Sequence, residues 1–176
     1  LISEYLKTNK LSDETSGIIT ASYFDRNWSE AQKKNLMYQG NQDVIKKDFV
    51  ISSGNLVRTS AWEKVGGFDD FLFIDMVDYD FNAKLLLANY QIWQANKVVL
   101  NHAVGEVVHK PILEKILVLP ESGLLADHSK NRQYYIYRNS LIFDKRYPMF
   151  GHKKLITART IFATRRMFIY KNSFSK

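Results

Sequence analysis

The sequence predicts an α/β domain with a helical C-terminal tail. Strand-like apolar runs occur at 16–25, 48–58 and 90–102, helix-spaced apolar residues lie between the last two, and the final 45 or so residues have a helical pattern. "SGIITASYFD" (16–25) has a β-rich apolar centre behind a polar cluster and predicts a strand. "WSEAQKKNLMYQGNQD" is polar and without period, which predicts a loop with a helical turn. "DFVISSGNLVR" (48–58) joins a short apolar run to a Ser-Ser-Gly-Asn break, so a strand entering a tight loop is expected.

In "TSAWEKVGG", Ser60 and Glu63 have the spacing of a capping box, and Gly66 and Gly67 supply a left-handed exit. A helix of about two turns follows from that. From Asp78 the residues Phe81, Leu85 and Ala88 fall at helical spacing, predicting a second helix to about Asn89 with Asp78 at or near its N-cap. "YQIWQANKVVLNH" is strand material ending on His102, whereas "VGEVVHKPILEKILVLPESG" has no clear phase. "NRQYYIYRNSLIFDKRY" places Tyr134, Tyr137, Leu141 and Ile142 near one helix face. Pro148 and Gly151 then break the pattern before a basic amphipathic stretch resumes.

Composition narrows the class. At 176 residues, with 45% hydrophobic and 24% charged, the chain is long enough to bury a core and is not globally disordered. Without cysteine it has no disulfide and no thiolate metal site, which is compatible with a reducing compartment. No stretch approaches a membrane span, and the N-terminus has neither an initiator Met nor a signal-peptide pattern, so it resembles the interior of a longer protein. Charge separates the expected domain, 1–127, from a tail, 128–176: the tail carries twelve Lys/Arg against one acid, the rest thirteen against seventeen. Such a tail suits phosphate, on nucleic acid or on a membrane. Zinc-finger, RNP and KH patterns are lacking, and a basic amphipathic helix suits an anionic membrane better.

Five carboxylates, Asp69, Asp70, Asp75, Asp78 and Asp80, crowd one short segment. Loop solvation and helix capping account for such a cluster. An EF-hand does not fit, because its glycine and its final Glu are missing. The flanking Phe71, Phe73, Ile74 and Val77 favour a partly desolvated carboxylate whose basicity is tuned for proton abstraction. His102 is either a satisfied structural residue or a ligand for a divalent metal. Arg132 and Arg138, six apart, are either one buried and one exposed position or a pair of phosphate contacts.

In order, "SGNL", "GGFD", "FIDMVDYD", "HAVG" and "RQYYIYRN" resemble the second half of inverting family 2 glycosyltransferases, most closely the bacterial rhamnosyltransferase branch, over about residues 50–146. The resemblance implies the C-terminal half of a GT-A fold, a nucleotide-sugar donor, a divalent cation (Mg2+ or Mn2+) and a glycan or lipid-linked acceptor in cell-surface polysaccharide synthesis. It makes Asp78 the catalytic base, places Gly54, Asn55 and Asp75 at the acceptor pocket, and gives His102 to the metal. With the basic tail it suggests an enzyme peripheral to the inner face of the plasma membrane, with Arg132 and Arg138 as phosphate or membrane contacts. Asp80 stands where the pattern has Glu. The family's donor-side half, with its D-x-D motif, is expected before residue 1, so this chain alone is expected to be inactive. "DYD" at 78–80 has the D-x-D spelling in the wrong half. The alternative class is a noncatalytic α/β module whose tail binds nucleic acid or a partner protein.

Overall fold

The computed structural model describes residues 7, 14–25, 28–31, 33, 43–102, 106–107, 111–116 and 126–150. These form an α/β fold with two compact units: residues 1–73 with 77–102, and residues 74–76 with 103–176. Position 128, where the charge changes, lies inside the second unit.

The first unit is built on a four-stranded mixed sheet in the order β2-β4-β1-β3. Strand β1 (Ser16–Asp25) is the run expected from sequence. It lies between β4 (Gln91–His102), which is parallel to it, and β3 (Asn55–Val57), which is antiparallel. With partners on both sides it buries small and β-branched residues along most of its length, Ile18 and Thr20 among them. β2 (Val44–Lys47) pairs antiparallel with Ile92–Ala95 of β4. The β1–β4 register runs to Ala21↔Ala95 and resumes at Ser22↔Val99, so residues 96–98 bulge out. Across that bulge, Lys97 Nζ reaches Asp43 at 2.7 Å.

Within 48–58 the order of strand and loop is the reverse of the sequence expectation. Residues 48–54 form the loop and β3 follows it. Gly54 is the reason: its φ of +78° is a left-handed turn conformation that L side chains rarely adopt. A Cβ there would stand 3.3 Å from that of Ala21.

Helix α1 (Thr59–Val65) begins without the expected capping box. Its N-cap is Arg58, which makes no side-chain cap, and Ser60 is already the second helical residue. Arg58 is engaged elsewhere, its Nε donating to the Ser16 carbonyl at 2.8 Å. The C-terminal exit is as expected: Gly66 and Gly67 both have positive φ, and their amides return to the Glu63 and Trp62 carbonyls.

Helix α2 (Val77–Leu87) is followed by Asn89, also left-handed, with the Tyr90 amide returning to the Leu85 carbonyl. Its Phe81 and Leu85 join Ile18, Val50, Ala61 and Ile92 in the core. Phe81 also meets Trp62 and Phe68, with ring centroids 5.1 and 5.0 Å away. Asp80 on the same helix is 1% exposed, its carboxylate 3.0 Å from Lys84 Nζ one turn on.

In the second unit β5 (Glu106–Val107) pairs antiparallel with β6 (Ala126–Asp127), with α3 (Pro111–Ile116) between them in sequence. Helix α4 (Lys130–Arg146) is capped by Ser129, whose hydroxyl accepts from the Arg132 amide. Its buried residues are Gln133, Asn139, Phe143 and Asp144, whereas Tyr134 and Leu141, expected to share an inward stripe, are 60% and 53% exposed. The inward face is therefore partly polar, which an apolar-periodicity argument does not find. The basic stretch after Gly151 lies outside the described residues.

Candidate active site

In the first unit, the loop at 52–54 meets two of the expected site residues. The Ser52 amide donates to Asp78 Oδ2 at 3.2 Å, and the Ser53 hydroxyl lies 3.0 Å from His102 Nε2. Asp78 Oδ1 also accepts from the Tyr79 amide at 3.0 Å. The half-buried carboxylate therefore sits on the first turn of α2, held there by backbone donors. Negative charge at a helix start is further favoured by the helix dipole. Gly54 closes the loop over the sheet, its carbonyl accepting from the Ala21 amide at 3.1 Å. Asn55, the next residue, opens β3, and its Oδ1 is enclosed without a hydrogen-bond partner among the described residues.

His102 closes β4 beside Asp25, its register partner on β1. The Tyr23 ring lies 5.9 Å from the imidazole. Among the described residues no three His, Cys, Asp or Glu side chains converge closely enough to hold a metal ion. His102 Nε2 faces a serine hydroxyl, so the described residues do not by themselves fit a divalent cation.

Asp75 belongs to the second unit, where Arg132 grips it as a fork: Nε to Oδ2 and Nη2 to Oδ1, each at 3.0 Å. Hydrogen bonding to Asp75 raises the Arg132 pKa above its usual value, burial opposes this, and the charge of Asp75 adds to it. The structure thus turns Arg132 onto a carboxylate of its own chain rather than outward to phosphate. Arg138 lies over the Tyr135 ring at 4.7 Å and donates from Nε to Asn139 Oδ1 at 2.9 Å.

Sequence reasoning gave Asn139 no role. Fully buried, it donates from Nδ2 to the carbonyls of Ile74 and Asp75 at 2.7 and 2.9 Å. That turn needs holding, because Asp75 and Met76 both have φ near +60°, strained for residues with a Cβ. Ser52, Ser53 and Asn82 were likewise passed over. The Ser-Ser-Gly-Asn break was the available signal for the first two, and Asn82, 1% exposed on a helix face, donates to the Val50 carbonyl at 2.7 Å.

No family model matches the chain, and neither a curated protein nor a solved structure does.

Proposed function

We propose that this chain carries the acceptor side of an inverting glycosyltransferase of GT-A type, with rhamnose as the transferred sugar. The observation that carries the reading is the Asp78 carboxylate on the first turn of α2, held by the Ser52 and Tyr79 amides beside a glycine-turned loop. The five ordered motifs supply the family, and Asp78 is the residue they mark as base.

The reaction needs a carboxylate because an alcohol is a poor nucleophile until it loses its proton. An acceptor hydroxyl donates its proton to Asp78 as its oxygen bonds to the anomeric carbon. The bond from that carbon to the nucleotide diphosphate breaks on the opposite face, the electron pair leaves with the diphosphate, and configuration inverts. Backbone amides suit this role. They fix the direction of the carboxylate.

The test is Asp78→Asn in an enzyme that includes the donor-binding half, assayed for both donor binding and transfer. Loss of turnover with donor binding kept is expected, and near-normal turnover removes Asp78 as base. The net positive charge after residue 128 supports a second part of the reading, peripheral contact with the inner face of the plasma membrane near a glycan or lipid-linked acceptor. Co-sedimentation with vesicles is expected to rise with their anionic lipid content, and binding that ignores that content overturns it. Among the described residues no helix is long and apolar enough to cross a membrane.

A further inference from the structure

Segment 49–52 runs along the start of α2 and contacts it at three places. The Phe49 ring stacks on that of Tyr79, centroids 5.3 Å apart and planes only 12° from parallel. The Val50 carbonyl accepts from Asn82, and the Ser52 amide donates to Asp78. The two polar contacts fix the segment's register, so the aromatic stack is held rather than incidental. Tyr79 is 37% exposed, and neither ring belongs to the core cluster around Phe81. A stacked aromatic pair with a part-exposed Tyr79 therefore stands one residue in sequence from Asp78.

We propose that Tyr79, braced by Phe49, is the surface on which a pyranose ring of the acceptor stacks; this rests on the reading of Asp78 as base. A pyranose carries its C–H groups on its faces and its hydroxyls around its rim. An aromatic plate takes up a C–H face through dispersion and the removal of apolar area from water. The rim hydroxyls are left to meet polar groups such as the Asp78 carboxylate, which the same 49–52 segment contacts through the Ser52 amide. Orientation of this kind contributes to rate by holding the attacking oxygen near its target. The acceptor class that follows is a saccharide terminus, rather than a simple lipid alcohol or an amino-acid hydroxyl, neither of which has a flat C–H face to stack.

Saturation-transfer NMR on this chain tests the proposal, with methyl α-glucopyranoside and methyl α-rhamnopyranoside as probes and sorbitol, an acyclic polyol, as control. Transfer onto the pyranoside C–H protons is expected from the wild type, with little onto sorbitol. Tyr79→Phe should keep the signal, and Tyr79→Ala should weaken it roughly fivefold, as loss of one aromatic contact implies. No signal from the wild type, an equal signal from Tyr79→Ala, or equal transfer to sorbitol overturns the proposal. Phe49→Ala removes the brace and leaves the ring, so it serves if Tyr79→Ala is poorly folded: partial loss supports the stack and an unchanged signal refutes it. Asp78→Asn should retain the pyranoside signal, because stacking does not need the base. A signal that depends on Tyr79, beside an Asp78→Asn enzyme that still turns over, would therefore keep the stacking surface and reject the base.

Discussion

Asp75 and Asp78 are three residues apart in sequence, yet each is held by a different kind of group in a different compact unit. Asp75 is gripped through both oxygens by the Arg132 guanidinium, on a turn whose carbonyls are held by Asn139. Asp78 is held by two backbone amides, one from its own helix and one from the 52–54 loop. The Arg132 fork is engaged in fixing a turn whose backbone has positive φ at Asp75 and Met76. On the proposed reading the two acids divide the work: Asp75 anchors a turn, and Asp78 is the acid positioned for chemistry.

Exchanging the two residues' chemistry gives the largest expected contrast. In an enzyme with the donor-binding half, Asp78→Asn should lower transfer by about 10²–10⁴-fold, the usual contribution of a positioned general base. Asp75→Asn should leave transfer within about tenfold of wild type and lower thermal stability instead, since it leaves Arg132 without its ionised partner. If the two variants exchanged these phenotypes, the assignment of roles would be reversed.

The anchor can be weakened from its other side. Asn139→Ala strips the turn of both side-chain donors and should cost about 1–3 kcal/mol, as buried carbonyls left without partners do. For a chain of this size each kcal/mol lowers the midpoint by about 2–4 °C. Arg132→Gln should cost less, because the guanidinium is substantially exposed and solvent screens the pair. The hydrogen bond to Asp75 raises the Arg132 pKa, so its stabilisation is complete below the unfolded-state value and is lost only as pH rises through the higher folded one. Both lie in the arginine range, so thermal melts of wild type and Arg132→Gln should differ by the same amount at about pH 6 and pH 9. A difference that shrinks between these values would show that another group sets the stability of the turn.

What could be read from the sequence follows from how local each contact is. β1 was readable to its ends because a central strand shows its burial as a continuous β-rich run; β4 was readable from its β-branched and aromatic residues, although only Ile92 and Ala95 of it are buried. The second helix was readable from the 3.6-residue spacing of Phe81, Leu85 and Ala88. Asn139 was not: its partners lie 64 and 65 residues away, and a buried amide adds nothing to an apolar period. α4 was phased on its tyrosines and leucine when its inward face carries Gln133, Asn139 and Asp144. At the candidate site Asp78, the proposed base, was marked by the motif order. The amide from Ser52 that aims it was not, because a backbone donor has no letter of its own.

Ser60 and Glu63 supply the blank for this comparison, an acid at a helix start whose expected local partner does not hold it. A capping box needs its Ser at the N-cap and its Glu three residues later. Here the helix has already begun at Thr59, Ser60 is exposed, and Glu63 lies too far into the helix to reach back to the first free amide. Ser60→Ala should therefore change stability by no more than about 0.5 kcal/mol, the ordinary range for a surface position. Arg58→Ala should cost more, because Arg58 Nε ties the helix start to the Ser16 carbonyl of the central strand. Urea unfolding of the two variants separates the cases. A loss of about 1 kcal/mol or more in Ser60→Ala would mean that the box forms in solution and that this helix is started by its own side chains. The expected order, Arg58 above Ser60, means that α1 is started from the sheet, by a contact that spans 42 residues of sequence.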